Sequence, residues 1–323
     1  GEGQVPDASR SRLVVRLREE AHNCWDNNCQ AAGNAMEAAL EAFAATLEMR
    51  PLDASLLTSK AMRIDDGTAM SQGGRVESNA IALYNFKEGR GTQANDSSDG
   101  FPPELTLNLI GDVEWVSNWG VRINNGRVQG AVQASSKLHR YITQTGEYSI
   151  EAWVVPANVT QEGPARIVSY SGSNSLRNFT LGQTVDSYDF LNRSSATNAN
   201  GTPALSTPDG VLQATLQHVV ASYDVIGGRR LYVNGNLVEV ADPVTAGSIN
   251  QWDQTFALVL GNETSGEYLW RGTIRLLAIH NRALTDDQVL TNYSVGVGQK
   301  ILLAFSIADL IVGMVDAYIV FEV

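Results

Sequence analysis

The feature that most constrains the fold is the pair Asn234-Gly235, which stands between two short apolar-rich runs, 229–233 and 236–240. Asn-Gly supplies the two positive-φ residues of a type I′ turn, whose twist matches that of two paired antiparallel strands. The run 218–223 leads into this hairpin. The three runs therefore predict a meander of antiparallel strands.

A second strong pattern is the run 148–155, which stops at Pro156. Ile150 and Val154 lie on one face of a strand with this register, and Trp153 and Val155 lie on the other. Apolar residues on both faces predict a central strand. Similar short runs, the first at 81–86, follow one another from about residue 77 with no helical pattern evident between them. The expected fold class is mainly β, an antiparallel β-sandwich jelly roll with a small N-terminal helical region.

The rest of the chain divides into segments that differ in their pattern of apolar residues. Residues 1–50 are expected to be a helical segment, because Met36, Leu40, Phe43 and Leu47 form one apolar stripe at helical spacing. Residues 51–77 are a predicted linker, residues 78–297 are the predicted β-domain, and residues 298–323 are an apolar C-terminal segment.

The two cysteines, Cys24 and Cys29, enclose an Asn/Asp-rich stretch. Two thiolates alone are an incomplete metal site, and Gln30 stands where a c-type haem motif requires histidine. We therefore expect a local disulfide between Cys24 and Cys29, with two reduced thiols as the alternative.

Charge and hydropathy limit the partners. The chain has 323 residues and a net charge of −12, so binding to a nucleic-acid phosphate backbone is disfavoured.

The apolar segment 301–323 is long enough to span a bilayer. Its ten Leu, Ile, Phe and Val residues in the first nineteen contribute about −5 kcal/mol to insertion, but Asp309 and Asp316 cost about 5 to 7 kcal/mol. We expect a buried strand pair or an interface there, and the chain is expected to be part of a longer polypeptide.

Five short signatures occur in order along the β-rich region, and through them it resembles the laminin G-like, concanavalin A-like jelly-roll superfamily over residues 78–297. They are the strand and loop at 84–98, the strand 148–154 with Trp153, the strand 218–224, the Tyr-Val-Asn-Gly turn at 232–235, and the closing segment 272–285. Residues 1–50 more faintly resemble the end of a bacterial cytochrome-c-like domain. The resemblance implies a jelly roll, and a c-type cytochrome as one candidate partner.

The resemblance also implies a candidate calcium site. Family members often hold Ca²⁺ with an aspartate in an Asp-x-Ser loop, which Asp96 matches, and Asp99 is a neighbouring candidate ligand. The acid that closes the family site is replaced by Arg275. An arginine cannot ligate a cation, so a contact between Arg275 and Asp96 is the alternative.

A carbohydrate site is the second candidate, since sugar-binding sandwiches present aromatic platforms and amide or acid groups from loops. The candidate ligand-binding residues are Trp115, Trp119, Trp252, Asp253, Asn262, Tyr268 and Trp270. The alternative is that most of these aromatic residues pack in the core, as we expect for Trp153.

Catalysis has weaker support. Two carboxylates about 5–9 Å apart would be needed for glycoside hydrolysis, and neither Asp112 with Glu114 nor Glu239 with Asp242 fits a family pattern. His218 and His280 are expected to be ordinary sheet residues.

The sequence therefore predicts a non-catalytic recognition or assembly module of a periplasmic or extracellular bacterial protein. Its expected partner is another protein subunit or a glycan. A lectin-like domain with bound Ca²⁺ is the alternative, and a glycoside hydrolase is the remote one.

Overall fold

The computed structural model describes residues 11, 14, 17–18, 28–46, 63–65, 68–70, 74–77, 79–116 and 119–297. The described residues up to 46 and those from 63 onward belong to two separate compact units. The predicted apolar segment 298–323 lies outside the described residues. Within the described part of the chain, no helix is long and apolar enough to cross a membrane.

The first unit contains helix α1 (Cys29–Thr46). In the predicted apolar stripe, Met36 and Leu40 are half-buried, Phe43 is 63% exposed, and Leu47 is not described. Cys24 is not described either, so its disulfide with Cys29 stays a prediction.

The second unit contains sixteen strands and two helices among the described residues. The strands are β1 (Arg63–Asp65), β2 (Thr68–Met70), β3 (Ala80–Tyr84), β4 (Gln93–Ala94), β5 (Leu107–Trp115), β6 (Val121–Gly130), β7 (Tyr148–Pro156), β8 (Gln161–Ser173), β9 (Leu176–Val185), β10 (Ser187–Asn192), β11 (Leu205–Ser206), β12 (Gln217–Asp224), β13 (Gly228–Val233), β14 (Asn236–Leu237), β15 (Ala257–Leu260) and β16 (Gly272–His280). The helices are α2 (Val132–Thr145) and α3 (Asp286–Val295).

Strands β3–β16 form one antiparallel network that curls into two layers. The main path is β11-β10-β9-β8-β15-β6-β16-β7-β12-β13-β14, with β3 paired to β16 and β5 paired to β6. Strand β6 joins the layers, because its beginning pairs with β16 and its end pairs with β15. The core lies between the layers and takes residues from both, so the predicted sandwich architecture is confirmed.

Strand β7 is central, as predicted, since β12 and β16 pair with its two edges. Tyr148, Ile150 and Val154 enter the main core, and Trp153 enters a second apolar cluster on the opposite face. The predicted hairpin is also confirmed. Strands β13 and β14 pair across Asn234 (φ 50°) and Gly235 (φ 80°), which have the positive φ values of a type I′ turn.

One expectation is wrong: a helix does lie between the strands. Helix α2 separates β6 from β7 and buries Ser135, Lys137, Leu138 and Ile142. Its core-facing apolar residues, Ala134, Leu138, Tyr141 and Ile142, do recur at helical spacing, so the sequence carried a signal for this helix that sequence reasoning missed. Helix α3 begins at a capping box made by Thr285 and Gln288.

Candidate functional site

The loop 261–271, between β15 and β16, folds back over β8 and the β8–β9 turn. Backbone hydrogen bonds fix this path, from Gly261 N–H to Ile167 O at 3.0 Å and from Arg166 N–H to Tyr268 O at 3.0 Å. The Ser265 hydroxyl donates to the Asn174 side chain in the β8–β9 turn. Gly261 (φ 76°) and Gly266 (φ 86°) supply the left-handed conformations that this path requires.

Tyr268 is the exposed aromatic residue of this loop. Its φ is 71°, which is unfavourable for a bulky side chain, and 42% of its surface is exposed. Its ring lies over the Arg166 guanidinium, with the Arg166 Cζ atom 4.3 Å from the ring centroid. Backbone strain of this kind, of the order of 1–3 kcal/mol, persists where the surroundings enforce it, and it is frequent at binding loops.

A buried charge cluster lies beneath the ring. Glu263 Oε2 is 3.5 Å from Arg166 Nε and 3.8 Å from Arg177 Nη1. Glu263 Oε1 accepts the Ser171 hydroxyl and, at 3.0 Å, the Thr264 N–H.

Within the described part of the chain, Glu263 supplies the one carboxylate that lies within 4 Å of the Arg166 and Arg177 guanidiniums. Burial and the like charge of Arg166 lower the pKa of Arg177 to about 10. Burial is also the main reason why the pKa of Arg166 is lowered. Arg177 therefore remains positively charged at neutral pH. Asp189 is a more distant counter-charge of Arg166.

The other two predicted residues of the loop are buried. Trp270 donates its indole N–H to Gln183 Oε1 at 2.8 Å. Asn262 Oδ1 accepts the Glu263 N–H at 2.8 Å. These two side chains support the loop, and Tyr268 is the one that the loop presents.

The remaining predicted aromatic residues lie in other segments. Trp252 is buried in the core and donates to Arg193 O at 2.7 Å, and the Asp253 carboxylate accepts the Thr255 N–H and hydroxyl. Trp115 is half-buried and donates to Gly91 O at 2.8 Å. Trp119 is half-buried against the Arg275 guanidinium, with the Arg275 Cζ atom 4.8 Å from the ring centroid. The structure thus does not join the seven predicted residues in one site.

Asp96 is buried and makes a full set of contacts with protein donors. Its Oδ1 accepts the N–H groups of Leu83 and Ser98, and its Oδ2 accepts the N–H of Leu105 and the ammonium of Lys137, the last at 2.6 Å.

The partner of Asp96 is therefore Lys137, and the expected alternative contact with Arg275 is wrong, because Arg275 donates to Trp119 O instead. Asp99 is exposed. No group of three His, Cys, Asp or Glu side chains in the described part of the chain is placed to hold a metal ion. The calcium site stays a prediction. The Lys137 ammonium supplies the positive charge beside Asp96 that a bound Ca²⁺ would otherwise supply.

In each of the two carboxylate pairs considered for hydrolysis, one carboxylate forms an ion pair with an arginine. Asp112 and Glu114 are exposed on β5, and Glu114 pairs with Arg122 at 3.0 Å. Asp242 pairs with Arg229, and Glu239 is exposed.

Sequence reasoning missed the cluster around Glu151 on the outer face of β7. The Glu151 carboxylate is fully buried and pairs with Arg75. It accepts hydrogen bonds from His218 Nε2 at 3.1 Å, His280 Nε2 at 3.2 Å and Asn292 Nδ2 at 2.7 Å. The signal was present, since a glutamate inside a strand with two apolar faces needs buried partners.

Comparison with protein families gives one match. Residues 125–290, just over half of the chain, match the laminin G model described as the concanavalin A-like lectin/glucanases superfamily. None of the curated proteins matches the chain.

Among solved structures, similar ones are botulinum neurotoxin binding domains. A type C structure, described with cell entry that depends on two ganglioside molecules, gives a TM-score of 0.52 at 13% identity, covering 68% of this chain and 51% of that chain. The serotype D/C binding domain and a DC binding domain in complex with rat synaptotagmin II each give a TM-score of 0.50 at 14% identity. Each match covers 68% of this chain and 52% of the other chain. This chain thus spans about half the length of these proteins, and the likeness shows a shared fold.

Proposed function

Because this chain belongs to the concanavalin A-like lectin/glucanases superfamily, we propose that it is a non-catalytic binding module. In this proposal the loop 261–271 recognises a glycan, and Tyr268 makes the central contact. The location outside the cytoplasm that the sequence predicts is part of the same proposal.

The observation that carries the proposal is the setting of Tyr268. An exposed ring held in a strained conformation has one face on the Arg166 guanidinium, so its position is fixed before a ligand arrives. A rigid ring with a polar edge suits stacking against the C–H face of a sugar. Buried polar groups below it, from Glu263, Arg177 and Asn262, hold the loop in this geometry.

The similar structures support a binding role of either kind, since one is described with gangliosides and another in complex with a protein. The site itself favours a glycan. Its exposed part is one aromatic ring beside the polar residues Ser265 and Glu267 and the small residue Gly266, and a protein interface needs a wider apolar centre.

The test is a glycan array with the full chain and three variants. Tyr268→Ala is expected to weaken binding to any glycan that is hit by about ten-fold or more, as for a central aromatic contact. Tyr268→Phe keeps the ring and is expected to retain most of the binding. Ile226→Ser, which changes a side chain that is 91% exposed on another loop, serves as the control. Equal binding by Tyr268→Ala and the unaltered chain contradicts the proposal.

The absence of catalysis is also part of the proposal. Asp112 and Glu114 have the i, i+2 spacing of a strand pair, but the carboxylate of Glu114 is held by Arg122. We expect no hydrolysis of any glycan that binds. Turnover that disappears in the Asp112→Asn or Glu114→Gln variant would establish the glycoside hydrolase alternative instead.

A second candidate function is that of a structural subunit in a larger assembly. The sequence 301–323 favours it, because a free apolar segment of this length would aggregate. Mass spectrometry of chains that co-purify from the native source tests this candidate, and a c-type cytochrome is the partner that the faint resemblance suggests. A monomer without partners would contradict it.

A further inference from the structure

We propose that a polar cleft beside helix α2 is a second binding site, and that it takes a small hydroxylated molecule that carries an oxyanion, such as an acidic sugar. The cleft has a volume of about 450 Å³ and is bounded by α2 and by Gln254, which precedes β15. It shares no residue with the loop 261–271, so the inference is independent of the function proposed above.

The charge of the cleft points to an anion. Lys137 forms part of the wall, but its ammonium is fully buried against Asp96 and is neutralised there. His139 and Arg140 remain as the groups that can add positive charge, and no lining residue is acidic. No carboxylate lines the cleft in a chain with a net charge of −12, and the nearby Asp253 carboxylate, beside Gln254, lies close enough to interact with the charge of His139.

Arg140 is both anchored and available. Its Nη2 donates to Pro102 O and, at 2.9 Å, to the Tyr141 hydroxyl, while the guanidinium stacks on the Tyr141 ring with Cζ 4.5 Å from the centroid. These contacts fix the guanidinium through one nitrogen. The three N–H bonds on Nε and Nη1 make no hydrogen bond with the described residues, and such donors form strong charge-assisted bonds with an oxyanion.

The hydroxyl and amide groups of the cleft define the rest of the ligand. Ser136 and Thr143 already donate their hydroxyl hydrogens to Gln133 O and His139 O, at 2.6 and 2.7 Å, so they offer oxygen acceptors. The side-chain amides of Gln144 and Gln254 have no hydrogen-bond partner among the described residues and offer both donors and acceptors. A ligand that satisfies this set carries hydroxyl groups as well as the anion.

The test is calorimetry on the full chain at constant ionic strength with three probes: D-glucuronate, inorganic sulfate and uncharged glucose. We expect saturable binding of glucuronate at one site, and binding of glucose at least about ten-fold weaker. If sulfate binds but glucuronate does not, the hydroxylated part of the assignment is wrong. If neither anion binds saturably, or glucose binds as well as glucuronate, the proposal is overturned.

Variants locate the binding. Arg140→Gln is expected to weaken glucuronate binding about ten-fold or more, and His139→Ala, which leaves the contacts of Arg140 to Pro102 and Tyr141 in place, is expected to weaken it in the same direction. Arg122→Gln removes an exposed arginine that pairs with Glu114 on β5, and it is the matched control. Tyr268→Ala should leave glucuronate binding unchanged, which separates this site from the loop 261–271. Equal affinity in the unaltered chain and in both cleft variants would overturn the assignment.

Discussion

Glu151 carries a charge at a position with no exposed surface, and its neighbours explain how. Arg75 supplies the opposite charge, and two histidines and an asparagine donate hydrogen bonds to the carboxylate. The donors come from β12, β16, α3 and the segment 74–77. One carboxylate thus ties four parts of the chain to the central strand.

Replacing Glu151 with Gln should therefore destabilise the fold strongly. The substitution removes the buried partner of the Arg75 guanidinium and leaves only the more exposed Glu77 carboxylate, 3.8 Å away, as a counter-charge. Breaking a buried pair in this way costs up to about 3–5 kcal/mol in the free energy of unfolding. Urea denaturation measures the change. Glu114→Gln is the control, because the exposed pair with Arg122 should contribute less than about 1 kcal/mol. Similar losses in the two variants would contradict this reading of the cluster.

The same carboxylate predicts a pH dependence. Burial by itself would raise the pKa of Glu151, but the charge of Arg75 and the hydrogen bonds from His218 and His280 hold this pKa well below its usual range. A depressed pKa in the folded state stabilises the fold above the unfolded value of about 4.3, and this stabilisation is lost as the pH falls below it.

The free energy of unfolding should accordingly decrease from about pH 5 downward, and more steeply in the unaltered chain than in Glu151→Gln. Burial raises the pKa of nearby Glu77, which acts in the opposite direction in both proteins. The charge of Glu151 contributes to the raised pKa of Glu77, so the difference between the two proteins reports Glu151 together with this coupling. Parallel curves from pH 3 to 7 would show that Glu151 has no such role.

At the scale of elements, helix α2 is anchored to the sheet by the buried pair of Lys137 and Asp96. We expect millimolar Ca²⁺ and a chelator to give the same Tm, because protein donors already surround both oxygens of Asp96. A rise in Tm with Ca²⁺ would instead support the calcium site that the family resemblance implies.

Lys137→Met should lower the free energy of unfolding by about 3–5 kcal/mol, since a buried carboxylate loses its counter-charge.

The β13–β14 hairpin offers a second test at this scale. Gly235 has φ 80°, and a Cβ atom there would lie 2.8 Å from the Tyr293 ring of α3. Gly210 has nearly the same φ, 78°, but nothing lies within 4 Å of the corresponding position. Gly210→Ala should cost about 1–2 kcal/mol for the backbone conformation alone. Gly235→Ala should cost about 1–3 kcal/mol more because of the overlap, and equal costs in urea denaturation would show that helix and hairpin are not tightly packed.

At the scale of the whole molecule, the described residues between 63 and 297 form a compact unit, and its main core lies entirely between Ile81 and Ile279. We expect a fragment of residues 63–300 to fold on its own. Its tryptophan fluorescence should show one cooperative urea transition with a midpoint close to that of the same signal in the full chain. A broad or strongly shifted transition would mean that the sandwich depends on the rest of the chain.

The sequence by itself determined the local features of this protein: the hairpin at Asn234-Gly235, the central strand at Tyr148 and the antiparallel sandwich. These follow from φ preferences and from the two-residue period of strands, which act over neighbouring residues. Only the tertiary structure decided which side chains meet. Lys137 lies 41 residues from Asp96, and Asn292 lies 141 residues from Glu151, so no local pattern pairs them.

Exposure was decided in the same way. From the sequence, Trp252 and Trp270 were as good candidates for a binding surface as Tyr268. Within the loop 261–271, the path of the chain buried Trp270 and exposed Tyr268, and Trp252 was buried in the core. Burial of an aromatic ring depends on which distant strands close over it, and a single sequence does not carry that information.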